Sequence, residues 1–114
     1  MFRKKVSVLE RSLRSVGVDF SKPLGKFMLE LMIDKGFSNY SLTIKTYENS
    51  TGFVEYDFCV DAFRALAGVV TQTANGECFV WARSVSAAKY GLRWDDMIAI
   101  HSKYDLFGRP LGNV

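Results

Sequence analysis

Asn75-Gly76, set between two runs of alternating apolar and polar residues, constrains this chain more than any other dipeptide in it. Val69, Thr71 and Thr73 alternate with Val70, Gln72 and Ala74 before it, and Cys78, Val80 and Ala82 alternate with Phe79 and Trp81 after it. A period of two is that of a strand with one face buried, and Asn-Gly tolerates the positive φ angles of a two-residue hairpin turn. After Arg83 the pattern changes. Ser84 is placed to cap a short helix over 85–90 that Gly91 ends in the left-handed conformation. Leu92 is expected to pack back, Asp95-Asp96 to turn the chain, and Met97, Ile98, Ala99 and Ile100 to continue as a strand.

The segments before the hairpin supply the helices. Phe2, Val6, Leu9, Leu13 and Val16 recur at steps of four and three, one side of a helix that ends near Gly17. Arg3, Lys4, Lys5, Arg11 and Arg14 surround that stripe, which reads as a solvated outer face, with little aromatic interleaving for nucleic-acid stacking. The stripe permits self-association into a homo-oligomer through the N-terminal helix, although two heptads do not define a coiled coil. Ser21 and Pro23 start a second helix, along which Leu24, Phe27, Met28, Leu31 and Met32 line one face, widened by Leu29 and Ile33, as far as Gly36. Tyr40, Leu42, Ile44 and Thr46 alternate as a strand; Glu48 to Gly52 turns, and Phe53 to Val60 returns with Val54, Tyr56 and Phe58 on one face. Residues 61–65 form a connector.

At 114 residues and 48% hydrophobic content the chain has material for one core. The expectation is a single domain over 1–114, with an N-terminal helix in 1–18 and an α+β core in 19–114. The fold expected is a small antiparallel β-sheet or partly open barrel with two to three helices. A net charge of +3 permits an acidic partner without requiring one. Cys59 and Cys78 lack metal-ligand spacing and read as two reduced thiols, or as a disulfide if their strands adjoin. The basic start is interrupted by Glu10 and Arg11 before an apolar signal core forms, and no apolar run reaches membrane-spanning length; the expectation is a cytoplasmic protein without membrane insertion.

Catalytic signals are missing from the pattern. His101 is the single histidine, Asp95-Asp96 reads as a turn, no glycine-rich loop precedes a helix in phosphate-binding form, and His, Cys and Asp lack metal-site spacing. The chain is therefore expected to be no enzyme and to need no cofactor or metal.

Arg64-Ala65-Leu66-Ala67-Gly68-Val69 followed by Ala87-Ala88-Lys89-Tyr90-Gly91-Leu92-Arg93-Trp94-Asp95-Asp96-Met97-Ile98 resembles a PDZ domain of the bacterial protease and secretion type. Asp95 stands where that family prefers glycine, and His101-Ser102 replaces its usual Asn-Gly. The order of elements then implies a circular permutation: residues 21–47 would supply the groove helix and last strand, and 64–111 the parts in familiar order. The resemblance implies a module that binds an extended or C-terminal peptide by strand addition. The amides of Ala67, Gly68 and Val69 would hold the carboxylate, Val69 and Thr71 would pair with the peptide, Leu66, Phe27 and Leu31 would line the pocket, and Arg64 would add charge attraction. A second reading is a small interaction or inhibitor protein, such as a mobile element encodes, acting through a rigid surface such as the first helix or the aromatics of 104–107. A third is nucleic-acid binding through the N-terminal basic residues, which would weaken steeply with salt.

Overall fold

A computed structural model describes residues 6–112 of the chain. It is an α+β fold with the order α1 (Val8–Ser15), α2 (Pro23–Asp34), β1 (Leu42–Glu48), β2 (Val54–Val60), β3 (Ala65–Gln72), β4 (Glu77–Ala82), α3 (Val85–Tyr90) and β5 (Ile98–His101). The strands form one open antiparallel sheet in the order β1-β2-β3-β4-β5. Each strand therefore pairs with its neighbour in sequence, as short connections favour.

Local chemistry sets the helix limits. Ser7 caps α1 by accepting the Glu10 amide on its hydroxyl at 3.0 Å. Gly17 ends the helix at φ 99°, where the Val18 amide reaches back to the Leu13 carbonyl at 3.1 Å. Gly36 repeats this at the end of α2: the Phe37 amide bonds Met32 O at 3.0 Å, and Phe37 and Met32 are both fully buried, which is the apolar contact such a terminus favours. The start of α2 differs from expectation. Lys22 is the N-cap and Pro23 opens the helix, while the Ser21 hydroxyl donates to Asp19 Oδ1 and caps nothing. Phe2, Arg3, Lys4 and Lys5 lie outside the described residues.

The hairpin between β3 and β4 is present, with Thr71 opposite Phe79 and Gln72 opposite Cys78. Its turn is longer than two residues. Gly76 N–H bonds Thr73 O at 3.0 Å, Thr73 N–H bonds Glu77 O at 2.9 Å, and Gly76 has φ 90° while Asn75 keeps a negative φ. This is a three-residue loop, a type I turn followed by one left-handed glycine, and it suits strand twist as well as the two-residue form does. α3 follows the sequence: Ser84 Oγ accepts the Ala87 amide at 3.2 Å and Gly91 ends the helix at φ 70°. Leu92, expected to pack back, is 56% exposed.

The helices supply one layer. Leu9 and Leu13 of α1, and Leu24, Met28 and Met32 of α2, are fully buried in one cluster with Leu42, Tyr56, Phe58, Val60, Val70, Cys78, Val80 and Ala82 from the sheet. Leu9 and Leu13, the centre of the stripe expected to permit self-association, are thus occupied inside the molecule. Cys59 and Cys78 lie on β2 and β4, separated by β3 and on opposite faces, so both are free thiols. Below the helices the C-terminal segment is tied in by polar groups. Gln72, 1% exposed, donates to Tyr104 O at 3.0 Å and accepts from Tyr56 Oη at 3.3 Å; Asp105 accepts the amides of Phe107 and Arg109 and the Arg109 guanidinium. Leu106 is fully buried and Phe107 packs edge-on against Tyr56, so the aromatics of 104–107 close the core and do not form an exposed patch. Among the described residues no helix is long and apolar enough to cross a membrane.

Candidate functional site

The molecule is a slab of 41 × 39 × 20 Å, and 20 Å is the thickness of a sheet with one layer of helices. Among the described residues no helix covers the opposite sheet face. Cross-strand register gives its rows: Lys45, Asp57, Val69 and Trp81 stand side by side, and next to them Tyr47, Glu55, Thr71, Phe79 and Ala99. None of these side chains belongs to the buried cluster or packs against it. Tyr47 is 51% exposed and Trp81 36% exposed. An alternation that puts Val70, Cys78 and Val80 into the core necessarily puts Val69, Phe79 and Trp81 on the outside.

Trp94 closes one side of this face. The chain leaving α3 runs along the β4 edge, where the Asp95 amide bonds Ala82 O at 2.8 Å and the Asp95 carboxylate pairs with Lys35 at the end of α2. That fixes Asp95 toward the helices and leaves Trp94 on the open side. Arg83 braces it: its guanidinium lies 4.4 Å from the Trp94 ring centre while donating to Leu66 O at 2.8 Å and Leu92 O at 3.0 Å. Trp81, Trp94, Val69, Thr71 and Glu55 together line an open hollow of about 460 Å³.

The floor of the face carries an acidic pair. Glu55 and Asp57 are two residues apart on β2 and point the same way. The Asp57 carboxyl, which the protonated form of Glu55 can donate to, raises the Glu55 carboxyl above its ordinary value, with burial and like charge adding. Asp57 Oδ1 is buried and has no hydrogen-bond partner among the described residues. Lys45, opposite Asp57, forms no ion pair with it. Elsewhere, the described residues include no group of three His, Cys, Asp or Glu side chains placed as metal ligands, and His101 is engaged through Nε2 with Asn75 O at 3.0 Å in the hairpin turn.

The residues expected to form a peptide groove are distributed otherwise. Val69 and Thr71 lie on β3, which is paired to β2 on one side and β4 on the other, so a peptide has no free edge there. Gly68 is paired with Phe58 and Ala82, and its α-carbon faces α2, with Met32 Cε 3.1 Å from where a β-carbon would sit. Ala67 is the extra residue of a bulge between Leu66 and Gly68, is fully buried, and its carbonyl accepts the Arg83 amide. Leu66 shares the open face with Cys59, whereas Phe27 and Leu31 pack on α2 against the core, across the sheet from Leu66, Val69 and Thr71. Arg64 is exposed in the connector at φ 52°, the one non-glycine with positive φ among the described residues. Glu55, Trp81 and Trp94 are site residues that the sequence pattern did not single out; the signal available for the first two was the alternation itself, read for its outward half.

The edges of the sheet differ. At β1, Ser12 of α1 closes one position: its hydroxyl accepts the Leu42 amide at 2.8 Å and donates to the Leu42 carbonyl at 2.8 Å. By alternation the backbone groups of Ile44, Thr46 and Glu48 face the same way, beyond the reach of this cap. Comparisons with protein-family models, with curated proteins and with solved structures find no match for this chain.

Proposed function

We propose that this chain is a non-enzymatic protein-binding module that engages its partner through the helix-free face of its sheet. One observation supports the reading above others: an uncovered patch of Val69, Trp81 and Phe79 beside Trp94, on a fold whose described helices are committed to the other face. Contiguous exposed apolar and aromatic surface is costly to leave in water, and tryptophan and tyrosine are the residues that most often anchor interfaces. The sheet beneath is braced by cross-strand pairing on both sides of β3, so the surface is rigid and its binding loses little entropy.

A second reading is favoured by the β1 edge, where three residues present unpaired backbone past the Ser12 cap; an extended peptide could add there as a sixth strand. Peptide display against the full chain separates the two. Selected peptides, titrated into the ¹⁵N-labelled protein, are expected to shift the amides of 69–71 and 79–81 and both indoles, and to lose affinity with Trp81→Ser. Shifts confined to 44–48, weakened by Thr46→Pro, would move the function to the edge. Shifts confined to α1 and α2 would defeat both readings.

A further inference from the structure

We propose that the hollow between Trp81 and Trp94 seats one cationic side chain of the partner, arginine or lysine, with its charge directed at Glu55. This rests on the helix-free face being the binding surface, and it adds the chemistry of the contact.

Three features of the hollow point to a cation. Its walls are two indoles, the aromatic surface that attracts cations most strongly. Its lining includes Glu55, backed on the same strand by Asp57, and neither carboxylate has an ion-pair partner among the described residues. Asp57 Oδ1, beside Glu55 on the same strand, is buried and has no hydrogen-bond partner among the described residues, so no donor there offsets the local negative charge. The chain as a whole carries +3, so a local site with two unpaired carboxylates and two indoles selects for a charge that the rest of the surface repels. The protein already shows the geometry once: Arg83 lies against Trp94 at 4.4 Å, and Arg83 is not part of the hollow's lining. Arginine fits better than lysine because its planar guanidinium stacks on an indole while donating sideways to a carboxylate.

Protonation sets the pH range. The groups facing Glu55 are Asp57 on its own strand, Tyr47 and Lys45 on β1, Thr71 on β3 and, beyond it, Phe79 on β4; the Arg83 guanidinium, a further positive charge, stacks on Trp94. The neighbouring Asp57 carboxyl and partial burial raise Glu55, so its ionised form, which attracts the cation, is lost at a higher pH than for an ordinary glutamate. Binding therefore weakens as pH falls through that raised value.

The test uses small probes on the full chain: N-acetyl-arginine amide, and N-acetyl-citrulline amide as its neutral isostere, followed by the indole N–H resonances of Trp81 and Trp94. The expected result is saturable shifts of both indoles by the arginine probe at pH 7, about tenfold weaker binding of citrulline, as a difference of about 1.4 kcal/mol gives, and arginine binding reduced to the citrulline level by Glu55→Gln or at pH 4. Equal binding of the two probes would overturn the cationic assignment while leaving a neutral apolar hollow on the same face. No shift with either probe would overturn it as well. Failure of the face itself is read separately, from display-selected peptides that map to the helices.

Discussion

Gly25 shows how a residue can be misjudged from its neighbours in sequence. It occupies the first turn of α2, where alanine is the better helix former by about 1 kcal/mol. In the fold a β-carbon there would run into the backbone carbonyl of Asp19. Gly25→Ala is accordingly expected to lower stability by about 1 to 3 kcal/mol in urea unfolding, as overpacking does, instead of raising it. Tyr56 is a different case: its alternation set it on one face with Val54 and Phe58, and the hydroxyl partners Gln72 and Leu106 come from segments that no local pattern connects to it. Burial pushes the Tyr56 phenol up to about 12 and the Cys78 thiol up to about 11. The folded chain holds both protons longer than the unfolded chain, whose groups titrate near 10 and 9. Stability is thus fully present below about pH 9 and falls as pH rises toward 12. Denaturation from pH 8 to pH 12 should show this decline, and Tyr56→Phe, costing about 1 kcal/mol at neutral pH, should make the alkaline part shallower.

Elements were legible where their limits are written in local chemistry. Ser84 and Gly91 bracket α3, and Asn75-Gly76 lies in the β3–β4 turn, because caps and left-handed glycines act within four residues of themselves. The same local code, Ser7 followed by Glu10, marks the true start of α1, but it sits inside a longer apolar stripe that hides it. Ser12 was not legible at all, since its hydroxyl closes a strand thirty residues away. Replacing Ser12 with alanine should cost about 1 kcal/mol and lengthen the open edge of β1 to Leu42, raising the tendency to associate in light scattering. Ser84→Ala should cost a similar amount, about 1 kcal/mol in thermal unfolding, with no change in association.

At the scale of the molecule, the period of two in β3 and β4 named the two faces without saying which one the helices would cover or which strands would lie at the edges. Those are properties of the sheet order. The meander puts β3 at the centre, which removes the edge expected at Val69 and Thr71, and it turns Trp81 and Phe79 outward beside Trp94. The α+β class was legible because helical and strand periods occupy separate segments; the open face was not, because Trp81 reads locally like any strand aromatic. A core tryptophan and an interface tryptophan differ in one respect that can be measured. Stability and peptide affinity, determined together for Trp81→Ser, decide between them. For an interface tryptophan the unfolding free energy stays within about 1 kcal/mol of the parent chain, as for an exposed position, and affinity for the display-selected peptide falls at least tenfold. A loss of several kcal/mol in stability, or unchanged affinity, would contradict a binding role for this face.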